Sequence, residues 1–413
     1  MKILLVSPHL PYPGIGSGGG SVIFNYVKHL AKRHEISFLC FIIPEDEGHV
    51  SDLRMYCQRV ETIPIKCNRH RSKIGVLLSR CKKLFLVFFS KKPLKVALLY
   101  SKHMERKIIE LLQTGSYDVV QFEYAEMGQY ITAVNNLPSV LSELEASMIL
   151  RYRYFGSVKN TLKRVFYFME WLKWMRYETS ILKKFDKILT LTREDKILLK
   201  TFVPEANITS ISTGMDIAEE GFSKLSNEVI PHRLMFFGDM YYKPNLDAVI
   251  YFCKEIFPII KNKIPNISLY IVGPHSSTEV EGLRADPNIT VMGYVRDLDS
   301  LIRKAAIVVV PIRLGGGIRI KTLHAMAMGK AVIATSLGAQ GIDVIPEENI
   351  IIANEPEIFA KRTIELLENG QLRQRLGRNA RKLIKEKYQW EPVIKKLERI
   401  YEEAVSFNSL SFH

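Results

Sequence analysis

Three consecutive glycines, Gly315, Gly316 and Gly317, run straight into a helix-forming segment that carries Arg319 and Lys321. Glycine lets backbone come close to a ligand, and the free N–H groups at a helix start, at the positive end of its dipole, favour phosphate. Arg319 and Lys321 add full positive charge at the same place. The chemistry that fits is capture of an anion, most simply a nucleoside diphosphate. The competing reading is a glycine-rich turn with two solvated cations, because short glycine strings recur widely.

Such a loop works only on a frame, and the sequence supplies one by alternating apolar strands with amphipathic helices. Lys2–Ser7 reads as a strand, Gly14–Gly20 as a glycine loop and Val22–Leu30 as a helix. Glu35–Phe41, Asp118–Phe122, Ser139–Ser142 and Lys187–Thr192 are further strands. The pattern restarts after Gly214, with strands at His232–Phe237, Ser268–Val272, Ile289–Met292, Ala306–Pro311 and Ala331–Thr335, and a helix at Asp247–Ile260. Gly329 stops the helix that follows the three glycines. Two such series predict an α/β protein of two doubly wound, Rossmann-like parallel-sheet domains, with ligands outside the carboxyl ends of the strands. The expected division is 1–212, completed by a terminal helix in 390–413, and 213–389, with the hinge region in Ser210–Pro231.

A chain of 413 residues suits two domains. Its formal charge of +15 implies an anionic partner: a phosphorylated ligand, a membrane surface or nucleic acid. No nucleic-acid module is visible, so no nucleic-acid partner is expected. Cys40, Cys57, Cys67, Cys81 and Cys253 show neither paired nor metal-ligand spacing, so no metal is expected and the thiols read as reduced. The start lacks a signal peptide's longer apolar core, and no apolar run reaches the roughly 20 residues that span a bilayer. A cytoplasmic protein is the expectation, peripheral at most on the inner face of the cell membrane.

Two basic, aromatic-rich stretches interrupt the alternation. In Arg69–Lys107, cations that include Lys82, Lys83, Lys91 and Lys92 flank Ile74–Leu78 and Leu84–Phe89, with Glu105 the only acid. Cations around apolar side chains suit an interfacial helix on anionic lipid, and membrane contact is weighed evenly with a solvated face. In Lys159–Lys187, which holds Phe166, Phe168, Trp171 and Trp174, core packing is the favoured reading.

Taken in order, Ile3–Pro13 with its glycine loop, Tyr117–Gln121, Phe185–Thr192, Ser212–Asp216, Phe236–Ala248, Leu269–Gly273, Gly293–Asp297, Gly315–Thr335 and Tyr388–Glu391 resemble family-4 glycosyltransferases over nearly the whole chain. The resemblance implies a GT-B fold, its two domains facing across a cleft. It also implies transfer of a hexosyl-type sugar from a nucleotide-sugar donor with retention of configuration, to a glycan or lipid-linked acceptor in cell-surface polysaccharide biosynthesis. No cofactor or essential metal is implied. Arg319 and Lys321 become the donor-phosphate ligands, with Lys243 after Gly238 as an assistant. Tyr294 and Val295 lie where the family places residues near the base, and Gly18, Gly19 and Gly20 would bring amides to the diphosphate.

The chain also departs from that family's pattern. Many members carry two glutamates, seven residues apart, across the phosphate-loop helix; here the positions hold Gly316 and His324. His324 shares a helix face with Lys321 and can still meet the ribose. Restoring glutamate there is expected to preserve or improve donor binding. A family histidine near the reacting sugar is replaced by Leu144, which cannot move a proton. Glu143, Glu145 or Glu123, expected to be ionised, would then hold the acceptor, or the leaving phosphate would act as base. The alternative function is a pseudo-glycosyltransferase, a GT-B subunit that binds sugar or a partner without turnover.

Overall fold

The computed structural model describes residues 1–14, 18–65, 85–217, 229–275 and 277–410. They form two compact units. One holds Gly19–Ile211, the amino-terminal segment and the chain from Ile394 onward; the other holds Ser212–Val393.

The first unit is built on seven parallel strands, β1 (Lys2–Ser7), β2 (Glu35–Ile42), β3 (Arg59–Pro64), β4 (Val119–Glu123), β5 (Ser139–Glu143), β6 (Lys187–Thr190) and β7 (Ile208–Ser210). Their order is β3-β2-β1-β4-β5-β6-β7, with Lys2 paired to Glu35 and Ile3 to Val119. β1, β4 and β5 are buried almost end to end, as strands covered on both faces must be. The order reverses between β1 and β4, so the loops leaving those strands diverge and open a crevice. The terminal helix Trp390–Leu410 closes over this sheet: Tyr401 Oη donates to Gln121 Oε1 (2.7 Å), and Lys187 Nζ reaches Glu403 (2.7 Å).

The second unit carries six parallel strands, β8 (Arg233–Phe237), β9 (Ser268–Val272), β10 (Ile289–Gly293), β11 (Ile307–Val310), β12 (Ala331–Ala334) and β13 (Ile351–Ile352). Their order is β10-β9-β8-β11-β12-β13, which puts the reversal between β8 and β11.

Several expectations need correction. Gly18–Gly20 are not loop: they form the first turn of the helix Gly18–Leu30. Gly19 is there for close packing, since a Cβ at that position would lie 1.9 Å from Tyr124 Oη and 3.2 Å from Leu144 Cδ1. The helix expected over Asp247–Ile260 starts earlier, at Lys243–Tyr251, passes through a π turn, Phe252–Ile256, and resumes as Phe257–Lys263. Pro258 has no N–H for a regular helical bond, and the wider turn accommodates it.

The second aromatic stretch divides in two. In the helix Thr161–Leu182, Trp174 and Leu182 are fully buried, and Glu178 accepts from the Ser147 and Met148 N–H groups (2.9 and 2.6 Å). The first turns instead expose Leu162 (82%), Val165 (53%) and Phe168 (40%), so core packing holds only for the carboxyl-terminal half. Of the cations assigned to a membrane, Lys82 and Lys83 lie outside the described residues, while Lys91 and Lys92 are exposed.

Candidate functional site

In the second unit the loops that leave β8 and β11 at the reversal point are the glycine-bearing ones. Gly238 follows β8 at φ 148°, and a Cβ there would sit 2.6 Å from Lys321 Nζ. Gly273, at the end of β9, crosses so close that its Cβ would lie 2.0 Å from the Gly238 carbonyl oxygen. The Gly273 N–H in turn donates to the Gly293 carbonyl at the end of β10 (2.7 Å). Three strand ends are thereby held side by side, and at Gly238 and Gly273 the φ of 148° and 138° and the close contacts favour glycine. After β11 the chain runs through Gly315 and Gly317, at φ 111° and 68°, to the helix Ile320–Ala327. Arg319 occupies its cap position and Lys321 its first turn.

Arg319 is 6% exposed. Its Nε donates to the Leu337 carbonyl (3.0 Å), its guanidinium lies against Gly315, and Nη2 is buried without a hydrogen-bond acceptor. Lys321 Nζ donates to Asn245 Oδ1 (2.6 Å) and lies 4.3 Å from the centre of the Phe236 ring. Burial first, and then Arg319, push the Lys321 ammonium down to about 7, against a pull from Asp239. Among the described residues neither cation is in an ion pair. Two enclosed cations with no direct ion pair are an unfavourable arrangement that an arriving dianion relieves.

Within the helix Lys243–Tyr251, Asn245 accepts from Lys321, and Lys243 is the half-buried first residue. Asn245 also donates to the Asp239 carbonyl (2.7 Å), which fixes the amide for Lys321. Tyr294, 65% exposed, and the half-buried Val295 follow Gly293 on the loop after β10. His324 lies on the inner side of its helix against Phe237, ring centres 5.8 Å apart, and its Nε2 is 2.8 Å from Asp299 Oδ1. His324 holds the Asp299 carboxyl below its ordinary value. Glutamate at position 324 would face that carboxylate, and repulsion between like charges at this separation weighs against the expected benefit of restoring it.

In the first unit, the loops leaving β1 and β4 bring His9 and Tyr124 together, ring centres 5.6 Å apart. His9 Nε2 is buried without a partner; burial, with Lys95 second, pushes its imidazole down to about 4, so it is neutral. Tyr124 takes the strained φ of 66° and lies beneath Lys95, which is paired with the buried Glu126. Leu144 and Tyr124 both lie against Gly19.

The three glutamates differ from one another. Glu123 is fully buried, accepts from Gln121 Nε2 (2.6 Å), and burial raises its carboxyl to about 7. Glu143 is also buried, and burial together with Glu178 raises its carboxyl well above the usual range. Burial works against the ionised form expected of Glu123 and Glu143. Glu145 is half-buried in the turn after β5. His9, Tyr124, Asn245 and Asp299 escaped the sequence reading. Only His9 carried a signal, as a polar residue two positions after the end of the first strand.

Residues 231–369 match the family model for glycosyl transferases group 1. An uncharacterized 44.6 kDa protein in the cps region of Klebsiella pneumoniae is 22% identical over 401 residues, 94% of this chain and 96% of the relative. An uncharacterized glycosyltransferase of Methanocaldococcus jannaschii is 27% identical over 55% of this chain and 60% of its own length. Among solved structures, sucrose-phosphate synthase from Thermosynechococcus elongatus superposes with a TM-score of 0.70 at 16% identity, covering 98% of this chain and 99% of that one. HepE from Anabaena, solved in complex with UDP, gives 0.65 at 13% identity, covering 97% and 99%. The fold is therefore that of the GT-B glycosyltransferases, and residues 231–369 of the second unit carry the match to glycosyl transferases group 1.

Proposed function

We propose that the chain transfers a hexosyl-type sugar, with retention, from a nucleotide-sugar donor to a glycan or lipid-linked acceptor in cell-surface polysaccharide biosynthesis. The observation that carries this reading is the unpaired Arg319–Lys321 couple at the reversal point of the second sheet. The relative in a cps region and the UDP-bound neighbour support it.

As the bond from the anomeric carbon to phosphate breaks, its electron pair stays on the diphosphate. Preorganised cations stabilise that developing charge without reorganising. The acceptor oxygen bonds to the anomeric carbon and gives up its proton. Leu144 cannot take that proton, and burial favours the protonated form of Glu143, so the leaving phosphate is the proposed base. Because the two cations serve the diphosphate, turnover is expected to survive chelation of divalent metal.

A second reading, a binding subunit without turnover, is favoured by Leu144 standing where the family has a histidine. A panel of nucleotide sugars, followed for donor hydrolysis and transfer, separates the two. Release of nucleoside diphosphate from one donor supports the enzyme, and binding with no release from any supports the subunit.

The amino-terminal unit is further proposed to rest on anionic membrane from the cytoplasmic side. Exposed Phe88 and Phe89 lie on the segment whose Val87 carbonyl accepts from Lys173 (2.5 Å), which joins it to the helix that exposes Leu162 and Val165. Lys91, Lys92, Lys163 and Arg164 are exposed on these same two segments. Among the described residues no helix is long and apolar enough to cross a membrane.

A further inference from the structure

A nucleoside diphosphate has three parts in fixed order: the cations at the start of the helix Ile320–Ala327 suit the diphosphate, and the family resemblance puts the base at the loop that opens at Gly293. The ribose must lie between, and its hydroxyls are donors that need acceptors. The contact joining the two elements is His324 Nε2 to Asp299 Oδ1, at 2.8 Å. Asp299 is on the helix Leu298–Lys304, which begins where the loop from Gly293 ends. Asp297 is already engaged, its Oδ1 capping that helix through the Ser300 N–H (3.0 Å).

The geometry points to Asp299 as the ribose-recognising carboxylate, held in place by His324; this rests on the nucleoside-diphosphate reading above. The Asp299 side chain is 45% exposed and that of His324 27%, so the carboxylate faces outward and the imidazole backs it. Among the described residues only Oδ1 is engaged, which leaves Oδ2 as an acceptor. With Nε2 as donor to Asp299, His324 is a positioning residue. The carboxylate that the phosphate helix lacks at position 324 is supplied from the neighbouring helix, one side chain further out.

The test is calorimetric titration of the full chain with uridine diphosphate, its 2′-deoxy counterpart and inorganic pyrophosphate, using whichever base binds if uridine does not. A charge-assisted hydrogen bond lost from the ribose predicts roughly ten- to a hundred-fold weaker ribonucleotide binding in Asp299→Asn, with pyrophosphate binding unchanged. The preference of wild type for ribose over deoxyribose should vanish in that variant. His324→Gln keeps a donor toward Asp299 and should stay close to wild type, whereas His324→Ala should match Asp299→Asn. A ribose preference that persists in Asp299→Asn, or equal binding of ribo- and deoxyribonucleotide by wild type, overturns the assignment and leaves the diphosphate site standing. Loss of pyrophosphate binding in Asp299→Asn also overturns it, since the residue would then act on the phosphates. If wild type binds neither nucleotide nor pyrophosphate, the diphosphate reading itself falls, and this inference with it.

Discussion

Lys321 sits where burial and Arg319 both work against its charge, which is why its ammonium titrates near 7 and not near its ordinary value of 10.5. A diphosphate beside it favours the charged form, so binding must draw in a proton wherever free Lys321 is neutral. The sign follows: above about pH 7 each bound ligand takes up part of a proton, and affinity falls as pH rises. Titrations at pH 6.5 and 8.5 should differ by about tenfold or more, by the linkage of proton and ligand binding. Lys321→Met should remove that dependence. Arg319 and Lys321 were legible in the sequence because a helix start, glycines and cations have a local signature. Asn245 and Asp299 were not. Each earns its place through a contact 76 or 25 residues away, which no local pattern encodes.

At the scale of elements, most strands declared themselves because buried parallel strands read as continuous apolar runs. The two-residue β13 and three-residue β7 are too short to carry such a run. The helix Thr161–Leu182 misled for the opposite reason: its aromatic residues face the core at Trp174 and solvent at Phe168. Its exposed turns give the membrane proposal two separable components. Charge reversal of Lys91, Lys92, Lys163 and Arg164 should abolish the salt-sensitive part of binding to anionic vesicles, at about 1 kcal/mol per cation. Serine at Phe88, Phe89 and Leu162 should remove the salt-resistant part. Equal sedimentation with neutral and anionic vesicles, or none with either, would sink the proposal.

The whole molecule has to tolerate carboxyl groups sealed inside its first unit. Glu123, raised from 4.5 to about 7, binds a proton in the folded chain that the unfolded chain releases at lower pH. Its contribution to stability is complete below about 4.5 and is lost as pH rises through 7. Glutamine at 123 keeps the bond from Gln121 and never ionises. Thermal unfolding should therefore show Glu123→Gln gaining a few degrees on wild type at pH 8 and little or nothing at pH 5. A constant difference across that range would mean that Glu123 titrates normally.

The proposed function depends on the second unit holding a nucleoside diphosphate on Arg319 and Lys321. Calorimetric titration of uridine diphosphate and its counterparts with other bases into wild type, Arg319→Ala and Lys321→Ala tests it most directly. One nucleotide should bind wild type, and each variant should weaken it roughly ten- to a hundred-fold while leaving the thermal unfolding of the chain in place. Unchanged affinity in both variants would contradict the claim.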